Sequence, residues 1–381
     1  MSAEGVGAEA VTEQDRSHLA RALELAERAG RAAVSPNPLV GATIIRDEST
    51  IGEGFHARLG ELHAERAALE DCRRRGEDPA GATMYVSLEP CGHSGRQPPC
   101  SEAIIEAEIA RVVYACDDPS EKASGRGPGI LRDGGVEVLQ AAGPEAAAAR
   151  LLNQPFRKHA RTGSPLLALK MATSLDGFVA TPSGDSKWIS GDQSRELVHR
   201  WRAGSDAVAV GIGTAIADDP LLTARGVEVV RQPARVVFDS AARLPLASKL
   251  IHTIAEAPLL VVTGPTADAE RAAALERAGA ELIAIAGRDS GQRVDAALAE
   301  LGRRGITSLL LEGGPTLAGS FAAAGAVDEL SLFVAPILLG GGRPALEGKG
   351  RAQVADAIRA LSLESERSGD DILLRARLRE W

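Results

Sequence analysis

The sequence has 381 residues, which predicts two domains at roughly 150 residues per domain. Hydrophobic residues make up 44% and charged residues 25%, which excludes a mainly disordered chain. The net charge of −9 argues against nucleic-acid binding, because that function needs a basic surface. No secretory signal is visible, and the longest apolar stretches reach about half a membrane span. We expect a cytoplasmic protein that binds neither nucleic acid nor membranes; a homo-oligomer is compatible with this composition.

The first part of the chain alternates between helical apolar spacing and short apolar runs typical of strands. Helices are predicted at residues 19–33, 63–75 and 101–108, and strands at residues 39–45, 84–88, 112–115 and 136–139. Residues 156–165 show no apolar period and are rich in turn-forming residues, so we place a domain boundary there.

The second part of the chain shows the same alternation. Strands are predicted at residues 166–171, 207–210, 235–238, 259–262, 281–285, 308–311 and 330–334, and helices at residues 192–202, 267–278, 294–303 and 316–323. Strands that alternate with helices predict an α/β fold with layered sheets in both parts.

The first group of candidate functional residues is His63 and Glu65, followed by Cys91 and Cys100. Imidazole and thiolate groups are preferred zinc ligands, and a catalytic zinc site leaves its fourth position for water. Zinc lowers the pKa of that water, and Glu65 is suited to carry its proton to a leaving amine. This order of residues is typical of zinc-dependent nucleobase deaminases, whose pattern is H-x-E followed by P-C-x-x-C.

The spacing of the two cysteines departs from that generic pattern, because eight residues separate them instead of two. Either the intervening loop bulges out between two ligands, or only one cysteine binds metal; a structural zinc site is a further alternative. His63 and Glu65 share one pocket only in the first turn of a helix, since positions i and i+2 otherwise point about 200° apart. The two remaining cysteines are interpreted as free thiols, and His18 and His56 as structural residues.

Asn37 lies between two prolines, Pro36 and Pro38. A side-chain amide held in this way is suited to pair with the edge of a base. The same tripeptide is equally well explained as a turn that ends the first helix.

The second part of the chain carries a second group of candidates. Gly211 and Gly213, and later Gly313 and Gly314, follow predicted strands, where backbone amides are able to approach a phosphate. Neither pair forms the G-x-G-x-x-G fingerprint, and plain turns are the alternative. Arg195, His199 and Arg202 are spaced to share one helix face, which indicates either an anion site or a solvated surface. Arg225 is a further candidate partner for an anion.

The sequence from about residue 14 to residue 381 resembles the family of bifunctional riboflavin-biosynthesis deaminase–reductases. The resemblance rests on residues 35–41, 63–65, 88–100, 174–177, 188–190, 218–220, 235–240 and 311–314. This family carries the long cysteine spacing, so the resemblance implies that Cys91 and Cys100 are both zinc ligands together with His63, with Glu65 as the catalytic residue.

The resemblance implies two domains and two consecutive reactions. A cytidine-deaminase-like α/β/α domain over residues 14–160 would deaminate 2,5-diamino-6-ribosylamino-4(3H)-pyrimidinone 5′-phosphate with one zinc ion per chain. A dihydrofolate-reductase-like α/β domain over residues 165–381 would then reduce the ribosyl group to ribityl with NADPH. The partner is therefore a small phosphoribosylamino-pyrimidine substrate.

The resemblance also assigns residues to the two ligands of the reductase half and to the deaminase substrate. The implied NADPH-binding residues are Ala172, Trp188, Thr214, Asp218, Ser240, Gly314, Pro315, Thr316, Leu317, Ala318, Gly319 and Ser320. The implied substrate-binding residues are Asn37, Lys170, Ser186, Arg202, Leu222, Arg225 and Glu312. His199 stays outside both sets.

Two other functions compete with this hypothesis. One is a nucleoside or free-base deaminase fused to an unrelated reductase. The other is a binding or regulatory protein with a structural zinc, against which Glu65 argues, because a structural site needs no carboxylate beside its ligands.

Overall fold

The structure is a computed structural model that describes residues 11–93, 98–121 and 123–381. The predicted loop between the two cysteines therefore lies partly outside the described residues. The chain divides into two compact units, one of Met1–Arg161 with Trp381 and one of Thr162–Glu380. Among the described residues, no helix has the length and apolar character needed to cross a membrane.

The described part of the first unit contains seven helices around one five-stranded sheet. The helices are α1 (Glu13–Glu27), α2 (Arg31–Val34), α3 (Ala64–Arg74), α4 (Cys100–Glu106), α5 (Arg126–Asp133), α6 (Pro144–Leu152) and α7 (Gln154–Thr162), and the strands are β1 (Gly41–Arg46), β2 (Ser49–Phe55), β3 (Thr83–Val86), β4 (Arg111–Tyr114) and β5 (Glu137–Gln140). The strand order is β2-β1-β3-β4-β5, with β3, β4 and β5 parallel and β1 antiparallel to both of its neighbours.

Alternate residues of these strands enter two different hydrophobic clusters. Met84 and Val86 of β3 pack in the cluster that contains Ala68 of α3 and Leu131 of α5. Tyr85, between them, packs in the cluster that contains Leu19 of α1 and Ala149 of α6. Because successive strand residues point to opposite faces, helices cover both faces of the sheet. The first unit is thus the α/β/α domain that the resemblance implied.

Strand β2 was not predicted from the sequence, because Gly52 and Gly54 interrupt its apolar pattern. The structure shows why glycine is needed at these positions. A Cβ atom on Gly54 would lie 2.3 Å from the backbone nitrogen of Ala68, and one on Gly52 would lie 2.5 Å from the Ala68 carbonyl oxygen. The two glycines therefore let α3 approach the sheet closely, and α3 carries the candidate residue Glu65.

The prediction of an irregular segment at residues 156–165 was wrong for most of that segment, because α7 extends to Thr162. The buried side of α7 includes Arg157, which is 1% exposed. Because arginine is charged, this buried position does not appear in an apolar period of the sequence. The Arg157 guanidinium donates from Nη1 to the Asp117 carbonyl oxygen at 2.7 Å and from Nε to the Trp381 carbonyl oxygen at 2.8 Å. Hydrogen bonds from a charged residue thus replace the apolar contacts on which the prediction relied.

The described part of the second unit is built on a nine-stranded sheet. Its helices are α8 (Asp192–Gly204), α9 (Ile212–Asp218), α10 (Lys249–His252), α11 (Ala269–Arg277), α12 (Ser290–Arg303) and α13 (Pro315–Ala323), and its strands are β6 (Leu166–Ser174), β7 (Phe178–Ala180), β8 (Ala207–Gly211), β9 (Ala234–Phe238), β10 (Leu259–Thr263), β11 (Glu281–Ala284), β12 (Ser308–Leu311), β13 (Glu329–Ala335), β14 (Arg343–Pro344), β15 (Ser362–Ser368) and β16 (Asp371–Arg377). The strand order of the main sheet is β11-β10-β9-β8-β12-β6-β13-β16-β15, and β7 pairs with β14.

The seven strands from β11 to β13 in this order are parallel, and β16 and β15 extend the sheet as antiparallel strands. The carboxyl ends of β9, β8, β12 and β6 therefore lie side by side at one edge. In open α/β sheets, ligands bind outside this edge. The four loops that leave it are the natural place for the reductase candidates.

Asp15 holds α1 against the sheet of the first unit. Its carboxylate accepts two hydrogen bonds from Arg111 of β4, at 2.7 and 3.0 Å, and one from the Tyr85 hydroxyl at 2.8 Å. Burial alone would raise the pKa of Asp15, but the hydrogen bonds from Arg111, Thr12 and Tyr85 hold it well below its usual range. The ionised carboxylate is therefore the form that stabilises the fold.

We expect Asp15→Asn to lower the free energy of unfolding by about 2–3 kcal/mol at pH 7, because a buried charge-assisted pair is broken. The pKa of Asp15 is depressed in the folded state, so its stabilisation is present above the unfolded-state value of 3.8 and is lost as the pH falls below it. Urea unfolding of both proteins between pH 3 and pH 7 measures the difference. A constant difference over this range would contradict the assignment.

Candidate active sites

Three potential metal ligands meet at the starts of two helices in the first unit. His63 is the N-cap residue of α3, and Cys100 is the first residue of α4. Cys91 lies in the loop after β3. The His63 Nδ1 atom is 3.4 Å from Cys100 Sγ and 3.6 Å from Cys91 Sγ, and all three ligand atoms lie within 4.8 Å of one another. The long spacing between the cysteines therefore still brings both thiols to the same imidazole nitrogen.

The distances fit a tetrahedral zinc ion. Zinc–nitrogen bonds of about 2.0–2.1 Å and zinc–sulfur bonds of about 2.3 Å place nitrogen and sulfur about 3.6 Å apart at a tetrahedral angle. The Cys100 backbone N–H donates to Cys91 Sγ at 3.3 Å. Hydrogen bonding from the Cys100 side chain, together with His63, lowers the pKa of the Cys91 thiol to about 4. A thiolate, the form that binds metal, is thus favoured at Cys91.

Glu65 is the second residue of α3 and is 4% exposed. Burial, reinforced by the charge on Cys91, raises the pKa of its carboxyl group to about 7. Its position in the first helical turn places it in the same cavity as His63, as the sequence argument required. A carboxyl group with such a pKa exchanges protons readily near neutral pH.

The cavity has a volume of about 340 Å³ and is lined by Asn37 as well as by His63, Glu65 and Cys91. His56, which we interpreted as structural, lines it too. Its Nδ1 atom donates to the Leu62 carbonyl oxygen at 3.0 Å, so Nε2 is left as the acceptor for the Asn37 side-chain N–H at 3.1 Å. This pair fixes the orientation of the Asn37 amide. A single histidine outside any motif gave no indication of this role.

Glu89 and Asp118 also line this cavity and were not predicted. The Glu89 carboxylate accepts hydrogen bonds from the backbone N–H groups of Gly125, at 2.6 Å, and of Asp118, at 3.4 Å. It therefore holds the loop that carries Asp118 to the cavity. The Glu-Pro-Cys sequence contained this residue, but its partners are distant in the chain.

In the second unit, Arg202 of α8 and Glu312, which follows β12, form a bidentate ion pair with both N–O distances at 2.7 Å. Their side chains are 13% and 10% exposed. Burial alone would raise the pKa of Glu312, but Arg202 keeps it below its usual range. Lys170 of β6 contributes to the same electrostatic environment, and burial lowers the pKa of its ammonium group. Arg202 and Glu312, two of the predicted substrate residues, thus contact each other directly. Lys170, another of them, lies on β6, which pairs with β12.

Several of the predicted cofactor residues lie just after the strands that end at the carboxyl edge. Thr214 belongs to α9, which begins directly after β8, and Gly314 is the N-cap residue of α13, which begins shortly after β12. A Cβ atom on Gly314 would lie 3.1 Å from Thr214 Oγ1, so the two residues are neighbours. Gly314 has no side chain to cap α13, and the first-turn amides are left for a ligand. Ser240 follows β9 at the same edge and lies beside Gly264, whose N–H donates to its carbonyl oxygen at 3.1 Å.

Residues 314–320 do not all face this edge. Ala318 is fully buried in the hydrophobic core. A Cβ atom on Gly319 would lie 1.7 Å from the Glu347 carbonyl oxygen, so this glycine serves close packing. Thr316, by contrast, is exposed, and its hydroxyl donates to Glu347 at 2.6 Å. Pro315 is buried, while Leu317 and Ser320 are half-buried.

The loop after β7 contacts one predicted cofactor residue, Asp218, through an ion pair. Lys187 Nζ lies 3.6 Å from Asp218 Oδ1, which places the neighbouring Ser186 and Trp188 near the end of α9. Trp188 is 72% exposed, and the Arg195 guanidinium lies 4.7 Å from the centre of its ring. An exposed indole ring is available to stack on a ligand. Ala172, on β6, is half-buried and packs against a small hydrophobic cluster that contains Phe333.

Leu222 and Arg225 lie in the segment after α9. Leu222 is 2% exposed and packs in a hydrophobic cluster, so its side chain lies in the core and is not available to a ligand. Arg225 is exposed. Its backbone N–H donates to His199 Nδ1 at 3.2 Å. His199, Arg202 and Arg225 are therefore brought together, whereas Arg195 of the same helix contacts Trp188 instead.

Comparison with known proteins covers both units. Residues 165–374 match the family model described as the RibD C-terminal domain, and residues 12–116 match the cytidine and deoxycytidylate deaminase zinc-binding region. The chain is 39% identical to riboflavin biosynthesis protein RibD of Escherichia coli over 374 residues, which cover 95% of this chain and 98% of the relative. The chain belongs to the RibD family.

Solved structures of RibD proteins agree with this membership. Form 1 of Acinetobacter baumannii RibD superposes with a TM-score of 0.85 at 37% identity, covering 97% of this chain and 99% of that one. A Thermotoga maritima diaminohydroxyphosphoribosylaminopyrimidine deaminase/5-amino-6-(5-phosphoribosylamino)uracil reductase superposes with a TM-score of 0.82 at 34% identity, covering 96% and 99%. Like other RibD proteins, the chain is a bifunctional deaminase and reductase of riboflavin biosynthesis. A fusion with an unrelated reductase, and a purely regulatory protein, are thereby excluded.

The metal centre of this RibD protein is testable through its cysteines. We expect Cys91→Ala and Cys100→Ala to lose the bound zinc of the purified protein, because each removes a ligand from a tetrahedral site. Cys72 and Cys116 are buried free thiols away from the cluster and provide matched controls. Zinc per chain is measured by elemental analysis. Equal zinc in Cys91→Ala and Cys72→Ala would contradict this ligand set.

Proposed function

We propose that the first unit hydrolytically deaminates 2,5-diamino-6-ribosylamino-4(3H)-pyrimidinone 5′-phosphate, and that the second unit then reduces the ribosyl group to ribityl with NADPH. The observation that carries the first assignment is the buried Glu65 carboxyl group in one cavity with His63 and Cys91. The specific substrate comes from the RibD relatives, one of which is named for these two reactions.

We propose that His63, Cys91 and Cys100 hold one zinc ion. When bound there, zinc supplies a hydroxide near neutral pH from its coordinated water. Glu65 takes up a proton in the cavity and delivers it to the amino group that leaves as ammonia. A carboxyl group whose pKa is about 7 is suited to both steps. Its burial also shields the proton transfer from bulk water.

Asn37 orients the pyrimidine ring in this proposal. Because its side-chain N–H groups face His56 Nε2, its Oδ1 atom is available to accept a hydrogen bond from the ring or its amino groups. The protonation of His56 at Nδ1, fixed by the Leu62 carbonyl oxygen, keeps this orientation. Asn37 therefore recognises a hydrogen-bond donor on the substrate.

The second unit would hold NADPH along the carboxyl edge of β9, β8, β12 and β6. The uncapped start of α13 offers backbone N–H groups and positive potential to a phosphate of the cofactor. Thr214 and Asp218, which belong to α9, and Ser240, which follows β9, would add side-chain contacts to the cofactor. When bound, NADPH supplies the hydride that reduces C1′ of the sugar, so the protein contributes mainly positioning.

The phosphoribosyl group would bind beside the Arg202–Glu312 pair. Arg202 has five N–H groups, of which two are used by Glu312 and one by the Thr223 carbonyl oxygen at 3.2 Å, so two remain for an anion. Arg225 adds an exposed guanidinium, which suits the 5′-phosphate. Lys170 is assigned to the reacting sugar. The backbone of Leu222 and the side chain of Ser186 would complete the contacts.

We place these reactions in the cytoplasm. None of the four cysteines, each of which lies in the described part of the chain, forms a disulfide bond. The absence of disulfide bonds in a chain of this size is typical of a reducing compartment.

We expect Glu65→Gln to retain zinc and to lower ammonia release by about 100-fold or more, because the proton carrier is removed while the ligands remain. Ammonia release from the diaminopyrimidine phosphate and zinc per chain are measured on the same preparation. NADPH oxidation with the deaminated substrate is the control and should match the wild type. Ammonia release at the wild-type rate would show that Glu65 carries no proton.

We expect Asp218→Asn to raise the KM for NADPH by about 3- to 10-fold, because one charge-assisted contact near the cofactor is lost. Deamination should be unchanged, because Asp218 belongs to the other unit. Steady-state absorbance at the nicotinamide band measures the first effect, and ammonia release measures the second. Loss of both activities would rule out independent sites.

A further inference from the structure

The backbone from Thr223 to Arg225 is held by side chains from outside the segment. The Thr223 carbonyl oxygen accepts from Arg202 at 3.2 Å. Ala224 forms two hydrogen bonds with the Gln232 side chain, its N–H to Oε1 and its carbonyl oxygen from Nε2, both at 2.9 Å. The Arg225 N–H donates to His199 Nδ1 at 3.2 Å. Three consecutive residues are thus fixed by three side chains.

The segment that precedes residues 223–225 has an unfavourable backbone conformation. Asp219 and Leu222 have φ angles of 41° and 56°, in the left-handed region that residues other than glycine rarely adopt. Such positions are strained and persist only where the surroundings enforce them. Burial of Leu222 and the hydrogen bonds to residues 223–225 supply that enforcement. The backbone therefore keeps one conformation at Arg225, which sets the direction in which the Arg225 side chain starts.

His199 is able to take part only as a neutral imidazole, because its Nδ1 atom accepts a backbone N–H. Burial, followed by the charges of Arg202 and Arg225, lowers the pKa of His199 despite the opposing charge of Glu312. The acceptor form is therefore present at neutral pH. His199 therefore adds no positive charge beside Arg202 and Arg225. It instead holds the backbone of Arg225 in place.

The geometry determines where the Arg225 guanidinium lies. Its Nη1 atom donates to Thr223 Oγ1 at 2.9 Å and to the Thr223 carbonyl oxygen at 3.3 Å. The Arg202 guanidinium donates to the same carbonyl oxygen, so the two arginines share one anchor. Two guanidinium groups held side by side repel each other unless an anion lies between them, which suits a phosphate group.

We propose that His199 and Gln232 are positioning residues that set the preference of the reductase for a 5′-phosphorylated substrate by fixing Arg225 beside Arg202. This inference rests on the proposed function, in which Arg225 contacts the phosphate. The sequence placed His199 on one helix face with Arg202 but outside both sets of ligand-binding residues, and it gave no role to Gln232. A purely structural role would weaken the fold without changing the preference for phosphate.

The test compares two substrates, 5-amino-6-(5-phosphoribosylamino)uracil and the same compound without its phosphate, with NADPH oxidation as the readout. His199→Gln removes the acceptor at the Nδ1 position, and His199→Asn keeps one there. We expect His199→Gln to raise the KM for the phosphorylated substrate by about 3- to 10-fold, the value of one hydrogen bond, with kcat nearly unchanged. The KM for the dephosphorylated substrate should not change, and His199→Asn should restore the wild-type preference.

Gln232→Leu provides a second, independent variant with the same expected result. Deamination by the first unit and the thermal unfolding midpoint show whether each variant is folded. Equal rises of KM for both substrates, or equal behaviour of His199→Asn and His199→Gln, would overturn the proposal.

Arg225→Ala separates the phosphate-binding role of Arg225 from the positioning role of His199 and Gln232. If Arg225→Ala leaves the preference for the phosphorylated substrate intact, the proposed role of Arg225 fails. If Arg225→Ala abolishes this preference while His199→Gln and Gln232→Leu keep it, only the positioning role fails.

Discussion

The first turn of a helix is the constraint on which both sites depend. In the first unit, α3 and α4 begin at the metal cluster, with His63 as an N-cap residue and Cys100 as a first residue. Residues i and i+2 face a common pocket only at a helix start, which is why Glu65 reaches the same cavity as His63. In the second unit, α13 begins at Gly314 without a side-chain cap, which leaves backbone N–H groups for a ligand.

The second unit adds a different constraint, the burial of charge. The Arg202 and Glu312 side chains are both less than one-sixth exposed and pair with each other, and Arg202 also donates to the Thr223 carbonyl oxygen. A buried guanidinium that lost its carboxylate partner would be costly, so the position of the pair is tightly determined. Arg202 in turn holds the Thr223 carbonyl oxygen, which extends this rigidity to the segment that carries Arg225. The polar residues at this edge therefore act as one network.

The predictions from the sequence were best where the apolar period was uninterrupted. Strands β8, β9 and β12 lie within about one residue of their predicted bounds, because each is an apolar run between turn residues. The predictions failed where a glycine or a charged residue took the place of an apolar residue. Gly52 and Gly54 concealed β2, and buried Arg157 concealed α7. Edge strand β15 was missed because most of its residues are exposed.

The candidate site residues show the same division. Residue type and order indicated a zinc site at His63 with one or both of Cys91 and Cys100, because few side chains bind zinc, and the family resemblance implied that both cysteines are ligands. His56, Glu89 and Gln232 were not predicted, because each acts through a hydrogen bond to a residue distant in the chain. Residue type also failed to separate Ala318 and Gly319, which pack in the interior, from Thr316, which is exposed.

The sequence by itself determined the α/β class of this protein, and it predicted two domains, a metal centre with a proton carrier, and a set of arginines for a phosphate. Only the tertiary structure decided which side chains hold the reactive ones in place. The physical reason is that ligand chemistry belongs to single side chains, whereas orientation depends on partners brought together by the fold. The amide of Asn37 and the guanidinium of Arg225 are both oriented by a neutral histidine, and neither histidine belongs to a motif.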